Sequence, residues 1–539
     1  MVTSKQAQQD NREAVALLTQ IYQQAYAVWQ AGDGLAAAAI LEDFWQRTGL
    51  CGLRDMLLRA YCLRDAKKYL SEIAQLEKLL QLFATSPERT LVADAWSLLG
   101  SALRQLGESQ LAVEAFRKAA EVEPRTEQKL VELSNALFTA DAITDFTPAS
   151  FRQLYASYQK QLQALQLPVY PKPDWRHERL RIGYLSADFG NHPVGQFIAP
   201  LFSRYDRKRF VVYAYDRHPH QDRVAAALRA GGAIWREVQE LSLPELAARI
   251  RADEIDILVD FSGHTKNNAL PVLASRVAPV QISGIGYFNS TGLKETTGFL
   301  SDVYCAPQAC SPYFIEPLLR LPHSHFCYAP FTVFPPVGDL PCRQRGHVTF
   351  GCFNNFAKVT DAMLACWRDI LLALPTAHLV LKHLIFDSDE GRAYEYQRME
   401  RIGLPLARVE LHGFSRDYLT QYHDIDIALD TSPYAGGLTT CEALYMGVPV
   451  VTLVGDHHGA RFGYSFLSNI GLPELAAATP QQYVELAVQL AGDPELLAVL
   501  RQTLRTRMQK SPLMDQQGYM RELEALYIQL YDMQRRNLS

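Results

Sequence analysis

The chain has 539 residues, a formal net charge of −5, 48% hydrophobic residues and 21% charged residues. That length suits roughly three or four domains of ~150 residues, and the composition is that of an ordinary globular protein. The slight acidity argues against a nucleic-acid partner, which wants a basic face, and no run approaches the ~18 apolar residues of a membrane span. Residues Met1 to Asp10 are polar, without an apolar signal core. Nine cysteines, odd in number and with no Cys-x-x-Cys pair, point to a reduced, cytoplasmic protein rather than a disulfide framework or zinc site.

From about residue 11 to 165 the apolar spacing of three and four predicts helices throughout. Trp96, Leu99, Gly100, Leu103, Gly107, Ala112, Phe116, Ala119 and Pro124 match the roughly 34-residue tetratricopeptide pattern. The small residues let two antiparallel helices touch, and the proline ends the second. One repeat cannot bury its own faces, so the pairs at 25–45, 69–83 and 129–165 are expected as degenerate neighbours. Residues 1–170 therefore read as an all-α tetratricopeptide-like domain, either a stabilising cap or a peptide-recognition surface. Homo-oligomerisation through it is a further candidate role.

Pro168, Pro171 and Pro173 punctuate a linker. Beyond it, strands at 180–186, 210–215, 257–261 and 280–285 alternate with helical sequence, such as 243–252. A loop-rich, Pro-rich stretch spans 305–342. A second set follows: strands at 348–353, 379–382, 409–412, 425–429 and 448–453, with a helix at 364–374. Such alternation predicts two α/β lobes with parallel sheets, Rossmann-like, facing each other across a cleft, at 175–340 and 341–539. Ligands belong at the carboxyl ends of the strands. The last helix, about 514–537, has one apolar face and by fold analogy crosses back to the first lobe.

The sharpest motif is Asp430-Thr-Ser-Pro-Tyr-Ala-Gly436-Gly437-Leu-Thr439-Thr440-Cys-Glu442. An apolar strand runs into a Gly-Gly turn, two threonines open a helix, and an acid follows in its first turn. Backbone N–H groups and hydroxyls there suit a pyrophosphate, and the carboxylate suits ribose hydroxyls. Phe350 to Asp361 ends another strand with Asn354, Asn355 and Lys358, the lysine being a point charge for a leaving diphosphate. Tyr418 precedes the strand at 425–429, and its ring can stack on a base or simply pack.

In the first lobe, Asp188-Phe-Gly-Asn-His192-Pro193 follows a strand, and His192 could act as base or touch donor phosphates. Gly263 and Thr265 follow the strand at 257–261, and Gly286, Tyr287 and Gly292 follow that at 280–285. All five are candidate cleft-lining residues, with a turn or helix cap as the plainer reading for the first two. Adjacent His457 and His458 cannot share a helix face, and no acidic or cysteine partner stands at metal spacing, so no metal is expected. Arg461 reaches an anion or pairs with an acid.

Together, the segments Asp188 to Pro193, Asn354 to Lys358 and Asp430 to Glu442 resemble the O-linked N-acetylglucosamine transferase family, glycosyltransferase family 41, over about residues 178–535. The short repeat region points to a bacterial member; that family also holds the adhesin N-glucosyltransferases. The resemblance implies a metal-independent, inverting transferase of the GT-B type, with a UDP-sugar as co-substrate, no cofactor, and a protein or peptide acceptor. By position, His192 matches the cleft histidine, and Lys358 the lysine that stabilises the UDP leaving group. Asn355 matches a nucleotide-contacting glutamine, and Tyr418 a uracil-stacking histidine. Thr439 and Thr440 match the threonine pair on the pyrophosphate, and Glu442 the ribose acid. Gly436 and Gly437 form the donor-side turn. The chain departs from the animal pattern at Leu438, which replaces a histidine, and at Glu442, which follows the threonines one residue sooner. A large insert between the lobes is also absent.

The expected reaction moves a hexose or N-acetylhexosamine, such as N-acetylglucosamine or glucose, onto Ser or Thr of a protein. The alternatives are glucosyl transfer to Asn of an adhesin-like protein, and a non-catalytic repeat scaffold with vestigial lobes. A dinucleotide oxidoreductase is a poor fit, because no G-x-G-x-x-G follows a strand of the first sheet.

Overall fold

The computed structural model describes residues 2–173 and 175–536, with side chains from residue 12. Asn537, expected in the last helix, lies outside the described residues. The chain divides into two compact units, Met1–Thr139 with His383–Arg398, and Ala140–Lys382 with Met399–Ser539.

The first unit is helical: α1 (Val2–Gln30), α2 (Gly34–Thr48), α3 (Leu53–Asp65), α4 (Tyr69–Phe83), α5 (Arg89–Gln105), α6 (Ser109–Val122) and α7 (Thr126–Ala140). The α5–α6 pair is the sharp helical hairpin of the sequence. Ala112, Phe116 and Ala119 are fully buried, and a Cβ on Gly100 would come 2.8 Å from the Phe116 ring. Glycine at that point lets the two helices close on each other. The segment His383–Arg398 joins this unit although the sequence places it in the second lobe. Ser71 Oγ donates to Glu390 Oε1 at 2.6 Å, and Tyr394 Oη to Glu108 Oε1 at 2.5 Å.

The second unit holds two parallel sheets. The first sheet contains β1 (Leu180–Ser186), β2 (Phe210–Asp216), β3 (Ile234–Glu237), β4 (Ile257–Asp260), β5 (Val280–Gly284), β6 (Gly298–Asp302) and β7 (Leu318–Leu321). Its order is 3-2-1-4-5-6-7. The second contains β8 (Thr349–Cys352), β9 (His378–Lys382), β10 (Val409–His412), β11 (Ile427–Leu429), β12 (Val450–Leu453) and β13 (Ala476–Ala477), in the order 10-9-8-11-12-13. Both are doubly wound orders. Their topological switch points fall between β1 and β4 and between β8 and β11, where ligand crevices form. Central strands such as β4 and β5 are buried along their whole length, as expected for sheets covered on both faces.

Sequence periodicity missed the short strands β3, β6, β7 and β13. β7 lies inside the stretch read as loops, where four residues between Pro317 and Pro322 carry too little periodicity to register. The strand expected at 425–429 is confined to β11, and the Asp426 carboxylate just before it accepts from the Thr349 and Cys342 N–H groups. Helix α8 (Pro148–Ala164) packs within this second unit: the Tyr158 ring stands edge-on to His264 at 4.8 Å. The last helix, Gln516–Arg536, lies against the first lobe. Its Tyr519 Oη donates to the His325 carbonyl at 3.0 Å, and its Glu524 accepts from the Asp206 N–H at 2.8 Å. Among the described residues no helix is long and apolar enough to cross a membrane.

Gly100→Val should lower the urea midpoint of the helical unit, at a cost of about 1–3 kcal/mol from overpacking. Circular dichroism of the variant checks this; an unchanged midpoint would contradict the close α5–α6 contact.

Candidate active site

The strongest local feature is the loop between β11 and the helix Leu438–Tyr445. Asp430 ends β11 fully buried. Its Oδ1 accepts from the Gly436 N–H at 2.7 Å, the Thr431 N–H at 2.9 Å and Asn354 Nδ2 at 3.0 Å. Its Oδ2 accepts from Thr452 Oγ1 at 2.8 Å. Burial raises the pKa of this carboxyl, and the four donors act against that rise. The loop is thereby fixed to the ends of β8 and β12.

Gly436 sits where a side chain will not fit: a Cβ would lie 2.4 Å from Thr440 Oγ1 and 2.8 Å from Asn354 Oδ1. Gly437, the N-cap of the helix, has open space where its Cβ would be. The helix N-terminus is thus approachable at Gly437, with Thr439 beside it. Thr439 Oγ1 donates to Asn354 Oδ1, and Thr440 is buried beneath the turn. A half-buried helix start without a side-chain cap, whose first N–H groups have no intrahelical partner, favours an anion.

Lys358 ends the short turn Phe356–Lys358 after β8. Its Nζ donates to the Ala435 carbonyl at 3.1 Å and lies 3.5 Å from the centroid of the Tyr434 ring. Burial lowers its pKa to about 8, while Asp430 pulls the other way. The lysine therefore stands over the same loop that carries Gly436 and Gly437. Tyr434 in turn packs on Phe288 of the first lobe, with ring centroids 4.2 Å apart. On the opposite side of the helix start, Tyr418 Oη donates to Glu442 Oε1 at 2.5 Å. Burial raises the Glu442 pKa to about 7. The two residues singled out for base and ribose are neighbours, although 24 positions apart.

The first-lobe candidates are more dispersed. His192 is in the loop after β1, half-exposed; its Nδ1 accepts from the Val194 N–H at 3.4 Å and lies 3.7 Å from Asp188. Burial lowers its pKa and Asp188 opposes that; with Nδ1 accepting, the neutral ring carries its proton on Nε2. Gly263, Gly286 and Gly292 press against Tyr287, the Phe261 carbonyl and Tyr155 respectively, positions set by packing. Tyr287 is buried beside Phe288, one ring removed from Tyr434. Thr265 follows the β4 turn, its N–H donating to the Ser262 carbonyl at 3.0 Å.

Asn355, carried over as a nucleotide contact, is exposed, and its Oδ1 accepts from the Ala357 N–H at 3.1 Å as a turn cap. The amide at the centre of the site is its neighbour, Asn354. Arg461 donates to the carbonyls of Tyr304 and Gly455, both at 2.8 Å, and so serves the backbone.

The family model described as glycosyl transferase family 41 matches residues 160–338 and 342–523. The chain belongs to that family. It is 38% identical over 374 residues to a Solanum lycopersicum protein named probable UDP-N-acetylglucosamine–peptide N-acetylglucosaminyltransferase SPINDLY, covering 67% of this chain and 40% of the relative. An Arabidopsis thaliana protein of the same name is 39% identical over 355 residues, covering 65% of this chain and 39% of the relative. The chain thus spans about 40% of the length of such curated relatives. Among solved structures, a mutant of the Thermobaculum terrenum O-GlcNAc transferase superposes with a TM-score of 0.83 at 29% identity, covering 98% of this chain and 99% of that one. The two facing lobes are accordingly of the GT-B type. In this family-41 chain, the switch points of both sheets carry the motif residues: His192 follows β1, Lys358 follows β8, and the Gly-Gly turn follows β11.

The Glu442 carboxyl has a stability consequence. Its folded pKa of about 7 lies above the ordinary 4.5, so the folded state holds the extra proton between those values. Stability therefore falls as pH rises through that window. Glu442→Gln should stabilise the unliganded protein at pH 8 by on the order of 1–3 kcal/mol, and hardly at all at pH 4. Urea melts at the two pH values check this; equal shifts at both would contradict a protonated Glu442.

Proposed function

We propose that this chain transfers a hexose or N-acetylhexosamine from a UDP-sugar to Ser or Thr of a protein, with inversion and with no metal at the diphosphate. The observation that carries the reading is the convergence on one loop of an approachable helix N-terminus, a lysine held above it, and a tyrosine–carboxylate pair beside it. N-acetylglucosamine is the favoured sugar, because the curated relatives are named as UDP-N-acetylglucosamine–peptide transferases. The soluble, cytoplasmic setting expected from the sequence accords with intracellular protein acceptors.

In the proposed reaction the diphosphate lies against the N–H groups at Gly437 to Thr439, with Lys358 Nζ moving from the Ala435 carbonyl onto its oxygens. Glu442, paired to Tyr418, takes the ribose hydroxyls, and the Tyr418 ring flanks the base. Negative charge grows on UDP as the anomeric C–O bond breaks, so the lysine contributes most in the transition state. His192 Nε2 takes the acceptor hydroxyl proton as that oxygen attacks from the opposite face, its own ring proton having passed to Nδ1, 3.7 Å from Asp188.

Lys358→Ala should lower the rate of UDP release by about 10²–10³-fold with little loss of donor affinity. Purified protein with UDP-N-acetylglucosamine, UDP-glucose or UDP-galactose and a lysate as acceptor source measures this. Loss of affinity at unchanged turnover would count against the role. Base-labile product linkages support Ser or Thr; base-stable ones move the reading to Asn. A protein that binds no UDP would revive the scaffold reading.

The lysine also sets a pH limb. Because its pKa is about 8, kcat/KM should fall as pH rises through that value, as the free enzyme loses the ammonium. Lys358→Arg should keep activity without that limb, since guanidinium does not titrate there. The same limb in the arginine variant would assign it elsewhere.

A further inference from the structure

A second cluster lies where the two lobes meet, and the proposed transfer makes no use of it. One ring nitrogen each of His325 and His458 and the Cys305 Sγ lie within 4.8 Å of one another, all in buried residues. Cys305 follows β6, and His325 follows β7, both in the first lobe. His458 comes from the loop after β12, in the second. The three residues are 20 and 133 positions apart in sequence, so no motif spacing betrays them.

The hydrogen bonding around the two rings is directional. His325 Nδ1 is 2.6 Å from Asp302 Oδ2, a carboxylate that also accepts from the His325 N–H at 3.0 Å and from Ser465 Oγ at 3.0 Å. His458 Nδ1 is 3.0 Å from the Phe288 carbonyl. Both acceptors require a proton on Nδ1, so in each neutral ring Nε2 carries the bare lone pair. Both Nε2 atoms are buried without a hydrogen-bond partner, and both histidines are fully buried. Two ring nitrogens are thus left unsatisfied in a buried cluster that also holds a thiol, a costly arrangement for polar atoms out of water. A metal-ligating histidine characteristically donates its other ring N–H to a carboxylate or backbone carbonyl, and each ring here does so.

We infer that Cys305, His325 and His458 bind a zinc ion that joins the two lobes. Thiolate and imidazole are zinc's usual ligands, at about 2.3 Å and about 2.0–2.1 Å. Tetrahedral bonds of those lengths set donor atoms roughly 3.3–3.7 Å apart, so a movement on the order of an ångström gathers the three. Zinc displaces the Cys305 Sγ–H proton to solvent and forms the Zn–S bond, and the Arg461 carbonyl, 3.6 Å from Sγ, loses that weak donor. A water completes the fourth position. The burial of all three ligands keeps substrate off the metal, so the ion is structural. This inference does not depend on the proposed transfer.

The test is elemental analysis of full-length protein purified without a histidine tag or chelator. One zinc per chain is expected. Cobalt(II) added to zinc-stripped protein should give thiolate-to-cobalt charge-transfer absorption, absent from Cys305→Ser. Stripping zinc should also lower the melting temperature of the wild type. A wild-type protein that carries no zinc and develops no charge-transfer band with cobalt overturns the inference, whether or not the variants fold. So does a folded Cys305→Ser and His458→Gln double variant that keeps one zinc per chain.

Discussion

One buried carboxylate holds the Gly436–Gly437 loop together. Asp430 collects two backbone N–H groups, one amide and one hydroxyl within 3.0 Å. Taking a carboxylate out of water is costly unless nearly every lone pair is met, and here the donors come from three different places. Asn354 stands after β8, Thr452 lies in β12, and Thr431 and Gly436 flank the loop itself. The carboxylate therefore cannot be satisfied unless the strand ends are in register, and the Gly436–Gly437 turn follows from that register. Its negative charge also favours the charged form of Lys358 against the cost of burial.

The same loop links the lobes. Tyr434 supports Lys358 Nζ on one face and meets Phe288 of the first lobe on the other, and Phe288 adjoins Tyr287. The Phe288 carbonyl orients His458. The lysine, its ring support and the cluster at the lobe junction are thus contiguous through two aromatic residues, Tyr434 and Phe288. The Gly436–Gly437 loop and the relation of the two lobes share these contacts, which gives a physical path by which residues of the two lobes are brought to one geometry. The last helix adds a second tie, from Tyr519 and Glu524 to the first lobe.

Much of this was legible in the sequence wherever the signal is local. The run from β11 through Gly436, Gly437 and the threonines is a strand-turn-helix, and its turn chemistry is written in consecutive residues. Alternating apolar strands and helices likewise marked both lobes. What sequence could not supply was long-range pairing. Asn354 and Asn355 are chemically identical, and only the fold shows that the first meets Asp430 and Thr439 while the second caps a turn. The segment His383–Arg398 sits between two second-lobe strands in sequence, yet its Glu390 and Tyr394 bond to Ser71 and Glu108 of the helical unit. Gly263 and Gly292 read as candidate cleft-lining residues, and the side chains nearest them are Tyr287 and Tyr155. A glycine required by packing reads the same as one required by a ligand.

We propose that the Gly436–Gly437 turn, fixed by Asp430, receives a nucleoside diphosphate. Titration calorimetry with UDP on the wild type and on Gly436→Ala tests it directly. Saturable UDP binding by the wild type and its loss in the variant are expected, because a Cβ there drives against Thr440 and Asn354 and opens the turn, while uridine alone binds both proteins weakly. UDP binding of equal affinity in the two proteins, with the variant folded, would contradict it.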